Sequence, residues 1–212
     1  MLRRIYDATW GRLFALGYDL FFAAMERNGL CELRRDLLAQ AEGRALEIGA
    51  GSGLNLEHWP DHVELVASEP FEPMAKQLRK KVREGRPGTE VVVAPGESLP
   101  FPDDSFDTVA LTLVLCTAPD PEAVLREIER VLKPGGRFLF LEHVRAREEG
   151  LARWQDRLHG PWYVFGHGCH CNRDTPAMLE ASSLELDGAS WGELPGAVPL
   201  VRPMYKGIAR AS

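Results

Sequence analysis

Three glycines at alternate positions, Gly49, Gly51 and Gly53, follow one acid, Glu47, and precede a second, Glu69, which lies 69 − 47 = 22 residues after the first. Glycine removes the side chain where a backbone must turn sharply or let a ligand approach closely. An acid at the end of the following apolar run, Val63 to Ser68, is of the type that accepts both hydroxyls of a ribose. The sequence holds no Gly-Lys-Ser/Thr, and a carboxylate beside the glycine turn repels a pyrophosphate. A cationic ligand without phosphate suits this constellation better than a dinucleotide.

A second group of reactive types lies further on. His143 follows Glu142, and its unperturbed pKa of about 6.5 lets it orient a substrate or draw off a proton, or serve as a hydrogen-bonded structural histidine. Beyond it the chain is dense in aromatic and polar side chains, Trp154, Gln155, His159, Trp162, Tyr163 and Phe165, as expected for the roof of an apolar pocket. His167, Cys169, His170 and Cys171 are soft donors, but neighbours this close cannot all turn onto one tetrahedral ion and no Cys-x-x-Cys partner exists. No metal is expected.

The elements that must position these residues alternate between strand and helix. Ala45, Leu46 and Ile48 read as a buried strand leading into the glycine turn, after which a helix is expected to hold Asn55, Leu56 and a surface His58, ending at Pro60. Val63 to Ser68 is a second strand, Pro70 opens a helix, and Val91 to Ala94 is a third strand. Thr108 to Leu115 is nearly all apolar, the pattern of a central parallel strand buried on both faces. Asp120 and Pro121 cap a helix whose Val124, Leu125, Ile128, Val131 and Leu132 share one side, Lys133 to Gly136 ends it, and Arg137 to Val144 is a fifth strand. Thr175 and Pro176 cap a helix over Ala177 to Ser182, and Leu184 to Leu194 and Met204 to Ala209 supply the last two strands. The expected fold is α/β, a Rossmann-like doubly wound sheet of about seven strands, mostly parallel with an antiparallel carboxyl-terminal edge.

Amino-terminal helices precede this sheet. Trp10, Leu13, Phe14, Gly17, Leu20, Phe21, Ala24 and Met25 fall on one face at helical spacing, and a further helix runs from about Leu30 to Ala41. The first helix either packs as a lid over the substrate pocket or lies on a membrane surface with its arginines toward anionic lipid. A single domain over 1–212 is expected, with a lid at 1–42, a cofactor core at 43–144 and a substrate roof with the last strands at 145–212. The formal charge of −6 argues against a nucleic-acid partner. Four cysteines without a disulfide framework, and no cationic leader before an apolar run, point to the cytoplasm.

With Glu47-x-Gly-x-Gly-x-Gly, the second acid Glu69, and the strand to Leu132-Lys133-Pro134-Gly135-Gly136 to strand order, the chain resembles the class I S-adenosylmethionine-dependent methyltransferases. The resemblance implies S-adenosyl-L-methionine as cofactor, its methionine part near Glu47, Gly49, Ala50, Gly51, Gly53 and Asn55, its ribose on Glu69, and Pro70, Met74 and Leu113 close by. Tyr6-Asp7 is similar to a pair in small-molecule members where the tyrosine closes over the cofactor. Pro95 stands where the family carries an aspartate for adenine, so Gly96, Glu97 and Ser98 are the expected contacts there. Thr112 to Cys116, Glu142-His143-Val144, Trp154-Gln155, Pro161-Trp162, Gly168-Cys169 and Asn172 to Thr175 resemble, more closely, a group that includes thiol S-methyltransferases. That implies a small apolar acceptor, a thiol first, with Trp10, Cys116, His143, Trp154, His159, Trp162, Cys169 and Arg173 about it. Methylation of a quinone carbon or of a phospholipid amine, and a non-catalytic cofactor-binding module, are the alternatives.

Overall fold

The computed structural model describes residues 7–212, with side chains from Thr9 onward, so the expectation for Tyr6 lies outside the described residues. In chain order the regular elements are α1 (Arg12–Met25), α2 (Cys31–Leu38), β1 (Arg44–Ile48), β2 (Glu64–Ser68), α3 (Glu72–Gly85), β3 (Glu90–Val92) and β4 (Phe106–Thr112). Then follow α4 (Pro121–Val131), β5 (Leu132–His143), α5 (Glu149–Phe165), α6 (Thr175–Ala181), β6 (Glu185–Leu186), β7 (Ser190–Glu193) and β8 (Pro203–Arg210).

One sheet of eight strands runs in the order β3-β2-β1-β4-β5-β8, with β6 and β7 both on β8. The first five are parallel, and β8 returns antiparallel along β5 from Arg137↔Arg210 to His143↔Met204. Alternation along the strands separates two cores. Ala45, Leu65, Ala67, Ala110, Leu139 and Leu141 face α2 and α3, while Leu46, Ile48, Val66, Val109, Leu111 and Phe138 face Leu125 and Ile128 of α4. Chain order reverses between β1 and β4, and in such a sheet the crevice beyond the carboxyl ends of these strands is where ligands bind. Gly49 and Leu113 begin the two loops there.

Several boundaries differ from the sequence-based expectations, each for a local reason. The glycine turn leads into turns and a single 3-10 turn, Leu56–His58, and His58 is buried rather than on the surface. Helix α3 starts at Glu72 with Pro73 in its first turn, so Pro70 lies in the preceding bend. Strand β4 stops at Thr112 because Leu113 takes a left-handed φ of 59°. Strand β5 begins at Leu132, since the Lys133 to Gly136 stretch pairs onward through a register shift opposite Phe106 and Thr108. The expected Leu184 to Leu194 strand is broken by Gly188, φ +86°, into β6 and β7, which makes eight strands of seven. Asp174, not Thr175, caps α6 by accepting from the Ala177 N–H.

The largest correction concerns α1. Its packed side carries Ala15 and Met25, with Phe14, Tyr18 and Phe22 half-buried, whereas Leu13, Leu16, Leu20 and Phe21 stand exposed at 63, 78, 82 and 47%. The helix is apolar on two sides, so spacing alone could not choose which one meets the protein. No helix among the described residues is long and apolar enough to cross a membrane.

Candidate active site

The β1 carboxyl end and the glycine turn form one wall of a cleft lined by Tyr18, Arg34, Glu47, Gly49, Ala50, Gly51, Leu54, Asn55 and Thr112. Its three glycines do different work. A Cβ on Gly49 would sit 2.7 Å from Val114, and one on Gly53 2.8 Å from Leu56, so both are fixed by packing as well as by their positive φ. A Cβ on Gly51 meets nothing closer than the Met74 methyl at 3.9 Å, which leaves that backbone open to a ligand.

Both Glu47 oxygens are engaged by side chains of the turn that follows. Oε1 accepts from Asn55 Nδ2 at 2.9 Å and Oε2 from Trp59 Nε1 at 2.8 Å, and burial raises its pKa against these bonds and the Arg34 charge. Glu69 accepts from the Gly51 N–H at 2.9 Å and the Phe71 N–H at 2.8 Å, so each carboxylate oxygen keeps a lone pair. Burial raises its pKa too, the two backbone donors pulling the other way.

Arg34 completes the cleft. It is 3% exposed, its Nε 3.0 Å from Glu26 Oε1 and its NH1 at 2.8 Å from Asn55 Oδ1 and 2.7 Å from Thr112 Oγ1. Sequence reading missed it, although the signal was present: with Leu30, Leu37, Leu38 and Ala41 it falls on the apolar stripe of its helix, where a solvated arginine does not belong. Tyr18 was missed as well, since its helix was read by the wrong face. It lies in the cleft with its phenol pKa raised by burial, and α1 is pinned beside it by Asp19, which accepts from Ser52 Oγ and Lys81 Nζ.

On the other side of β4, Glu142 organises the loop that Leu113 opens. Its carboxylate accepts from the backbone N–H of Val114 at 2.6 Å, Leu115 at 3.1 Å and Cys116 at 3.3 Å, and burial pushes its pKa up to about 7 in spite of them. Arg173 holds the same loop through the carbonyls of Leu115 and Ala118. The loop therefore carries Val114 against Gly49 and Cys116 toward His143.

Cys116, His143 and Cys169, all buried, bring their donor atoms within 4.8 Å of one another. His143 Nε2 is 3.1 Å from Cys169 Sγ, and Trp162 Nε1 donates to the same sulfur at 3.1 Å. The Cys116 thiol, with the imidazole and indole, holds Cys169 well below the usual thiol range, while Cys116 itself is raised by that sulfur and by burial. Burial alone would lower His143, and the neighbouring Cys169 sulfur more than offsets it, leaving a raised pKa.

Other expected site residues land elsewhere. Trp154 is 55% exposed with the Arg157 guanidinium over its ring, on the outer side of α5 rather than under the roof. Glu97 reaches the Asp120 N–H at 3.4 Å and Ser98 is exposed, while Gly96 packs on Ile48 and Val124. His159 pairs with His170 at 2.8 Å, Cys171 with the Gln155 carbonyl, and Trp10 Nε1 donates to the Phe165 carbonyl at 3.2 Å. Pro70 is exposed and Leu113 half-buried.

Comparison with known proteins bears on this geometry. A family profile described as a methyltransferase domain matches residues 46–140. Human thiol S-methyltransferase TMT1A is 32% identical over 200 residues, covering 92% of this chain and 82% of that protein. The chain is a class I S-adenosylmethionine-dependent methyltransferase. It falls in the branch of the TMT1 proteins; rat thiol S-methyltransferase TMT1B is 36% identical over 69% of this chain, which spans 62% of that protein's length. The methyltransferase shares its fold with a Thermotoga maritima structure titled a SAM-dependent methyltransferase, possible histamine N-methyltransferase, at TM-score 0.71 and 23% identity, covering 95% of this chain and 98% of that one.

The residues present fit S-adenosylmethionine. Gly51 leaves open backbone, Glu69 keeps unfilled acceptor positions beside it, and the buried Arg34 guanidinium lines the same cleft, all without a phosphate cradle.

Proposed function

We propose that this methyltransferase transfers a methyl group to the sulfur of a small apolar thiol, and that the observation carrying this reading is the buried Cys116–His143–Cys169 group beside the cofactor cleft. S-adenosylmethionine, when bound, supplies an electrophilic methyl on a sulfonium. Glu69 holds the ribose hydroxyls, Arg34 pairs with the carboxylate of the methionine part, and Glu47 acts through Asn55 and Trp59 to keep the turn in shape. Tyr18 and α1 cover the cleft as a lid and exclude water, which aligns donor and acceptor where an in-line displacement needs them.

His143 takes the acceptor's proton. A thiol with pKa about 8.5 is already a few per cent ionised near neutrality, so the base is worth at most about 30-fold there. The expected result for His143→Gln is thus a loss of up to about 30-fold in turnover near neutral pH, shrinking as the pH approaches the thiol pKa. A loss that persists at alkaline pH contradicts the role.

Exposed Leu13, Leu16, Leu20 and Phe21 of α1 continue into Phe165 of α5, whose ring is 6.2 Å from Phe21, with Val164 and Leu158 also exposed. This face supports peripheral contact with a lipid surface, the phase where an apolar thiol concentrates. The single-domain organisation, with its lid, core and roof segments, and a cytoplasmic location belong to the same proposal.

The test is release of S-adenosylhomocysteine with an alkyl thiol, hydrogen sulfide, a demethylated quinone and micellar phosphatidylethanolamine, with products identified by mass. Methyl thioether from the thiols supports the reading. Methylation of the quinone or the lipid amine, with thiols untouched, overturns it.

A further inference from the structure

The Cys169 sulfur receives the indole N–H of Trp162, a group that only donates, and faces Nε2 of His143 at the same 3.1 Å. Cys116 lies within 4.8 Å from a third segment of chain, and Cys169 itself is only 8% exposed. A sulfur set between donors from α5 and from the end of β5 sits as an anion does. If it accepts from Nε2, the neutral imidazole carries its proton there, and Nδ1 holds a lone pair. That nitrogen is buried and, among the described residues, has no hydrogen-bond partner. A buried polar atom left unpaired in a native protein calls for a partner.

We propose that Cys169 is a thiolate that fixes the tautomer of His143, making Nδ1 the atom that takes the proton of the methyl acceptor. This rests on a thiol being the acceptor. The S–H bond of the acceptor breaks, the proton passes to Nδ1 and the electron pair stays on sulfur. That pair forms the bond to the methyl carbon, while the carbon–sulfonium bond breaks with its pair kept by the departing sulfur. The products are a methyl thioether and neutral S-adenosylhomocysteine, and nothing is oxidised or reduced. The imidazolium then rests against the Cys169 thiolate, the part a buried carboxylate plays beside the histidine of a serine hydrolase. Cys169 is a positioning residue and His143 the base. The other charged or titratable groups facing the ring are Glu142, from its own strand, Arg173, and Cys116 on the loop after β4.

Two variants and the wild-type protein test this. Cys169→Ser keeps a small polar atom without the charge, and Cys169→Asp restores an anion. The wild-type protein is expected to show ultraviolet thiolate absorbance at neutral pH that Cys169→Ser lacks, and a nitrogen-15 spectrum with His143 as the Nε2–H tautomer that becomes mixed in Cys169→Ser. Turnover of a small alkyl thiol is expected to fall by up to about 30-fold, the ceiling set by the acceptor's own ionisation, with the acid limb of the pH profile displaced and cofactor affinity unchanged. Cys169→Asp is expected to recover turnover. Absence of thiolate absorbance in the wild type, an unaltered His143 tautomer in Cys169→Ser, or one zinc per chain held by Cys116, His143 and Cys169 would overturn the proposal. Where Cys169→Ser does not fold, the wild-type absorbance and nitrogen-15 spectrum decide. Thiolate and tautomer found in protein that methylates no thiol would overturn the acceptor and leave the Cys169–His143 pair standing.

Discussion

Arg34→Ala is expected to lower the stability of the fold by about 3 kcal/mol and to weaken S-adenosylmethionine binding at the same time. Deleting one member of a buried pair leaves the other uncompensated, at about 3 to 5 kcal/mol when both are fully buried. The low end applies because the Glu26 side chain is 17% exposed against 3% for Arg34. The loss also removes the donor to Asn55 Oδ1 and Thr112 Oγ1, and Asn55 is one of the two groups that hold the Glu47 carboxylate. Denaturant unfolding reads the first effect and calorimetric titration the second. Arg34→Lys keeps the charge but not the fork, and should fall between the two. Unchanged unfolding in Arg34→Ala would show that the buried network is not what holds α2 to the glycine turn.

Glu69→Ala is expected to weaken cofactor binding by about 1.5 to 3 kcal/mol, the range for hydrogen bonds to a charged group. That is roughly a 10- to 150-fold rise in the dissociation constant, and the backbone N–H groups of Gly51 and Phe71 lose their acceptor in the same variant. The same carboxylate gives binding a pH dependence whose sign is fixed. Burial raises the pKa of Glu69 above its ordinary 4.5, and ribose hydroxyls donate more strongly to the ionised form. Affinity is therefore highest above the raised pKa and weakens as the pH falls through it toward 4.5. Glu69→Gln should flatten that dependence. Wild-type affinity that stays constant over the same acid range would separate Glu69 from the ribose.

How much of this was legible in the sequence depended on distance along the chain. Glu47, the glycines and Glu69 announce themselves because turn and acid sit within one strand–turn–strand unit, and the mostly parallel sheet with its antiparallel edge followed from the alternation of strand and helix patterns. The β4 loop was misjudged because nothing in Leu113-Val114-Leu115 signals a left-handed leucine. That bend needs the Glu142 carboxylate arriving from the neighbouring strand to gather three backbone N–H groups. Cys116, His143 and Cys169 were each singled out, yet their meeting is made by β4, β5 and the loop after α5, separated by up to 169 − 116 = 53 residues. The cluster His167 to Cys171 diverges, as side chains on such close neighbours were expected to, with Cys169 turned to His143 while His170 and Cys171 face His159 and Gln155.

Helix α1 shows the opposite limit. Its sequence carries enough apolar residues for two faces, so periodicity found a helix but not its orientation. Orientation is set by contacts from elsewhere, Gln77 donating to the Ala15 carbonyl and Lys81 and Ser52 to Asp19. Tyr18 is carried into the cleft as a result.

Donor and thiol are expected to meet between the Glu69 side of the glycine turn and the Cys116–His143–Cys169 group. A crystal structure of the wild-type protein with S-adenosylhomocysteine and an alkyl thiol tests it most directly. Ribose hydroxyls are expected on Glu69, the amino-acid carboxylate on Arg34, and the thiol sulfur at hydrogen-bonding distance from His143 Nδ1 on a line with the cofactor sulfur. A thiol seated elsewhere, with His143 Nδ1 still unpartnered or the ribose away from Glu69, would contradict it.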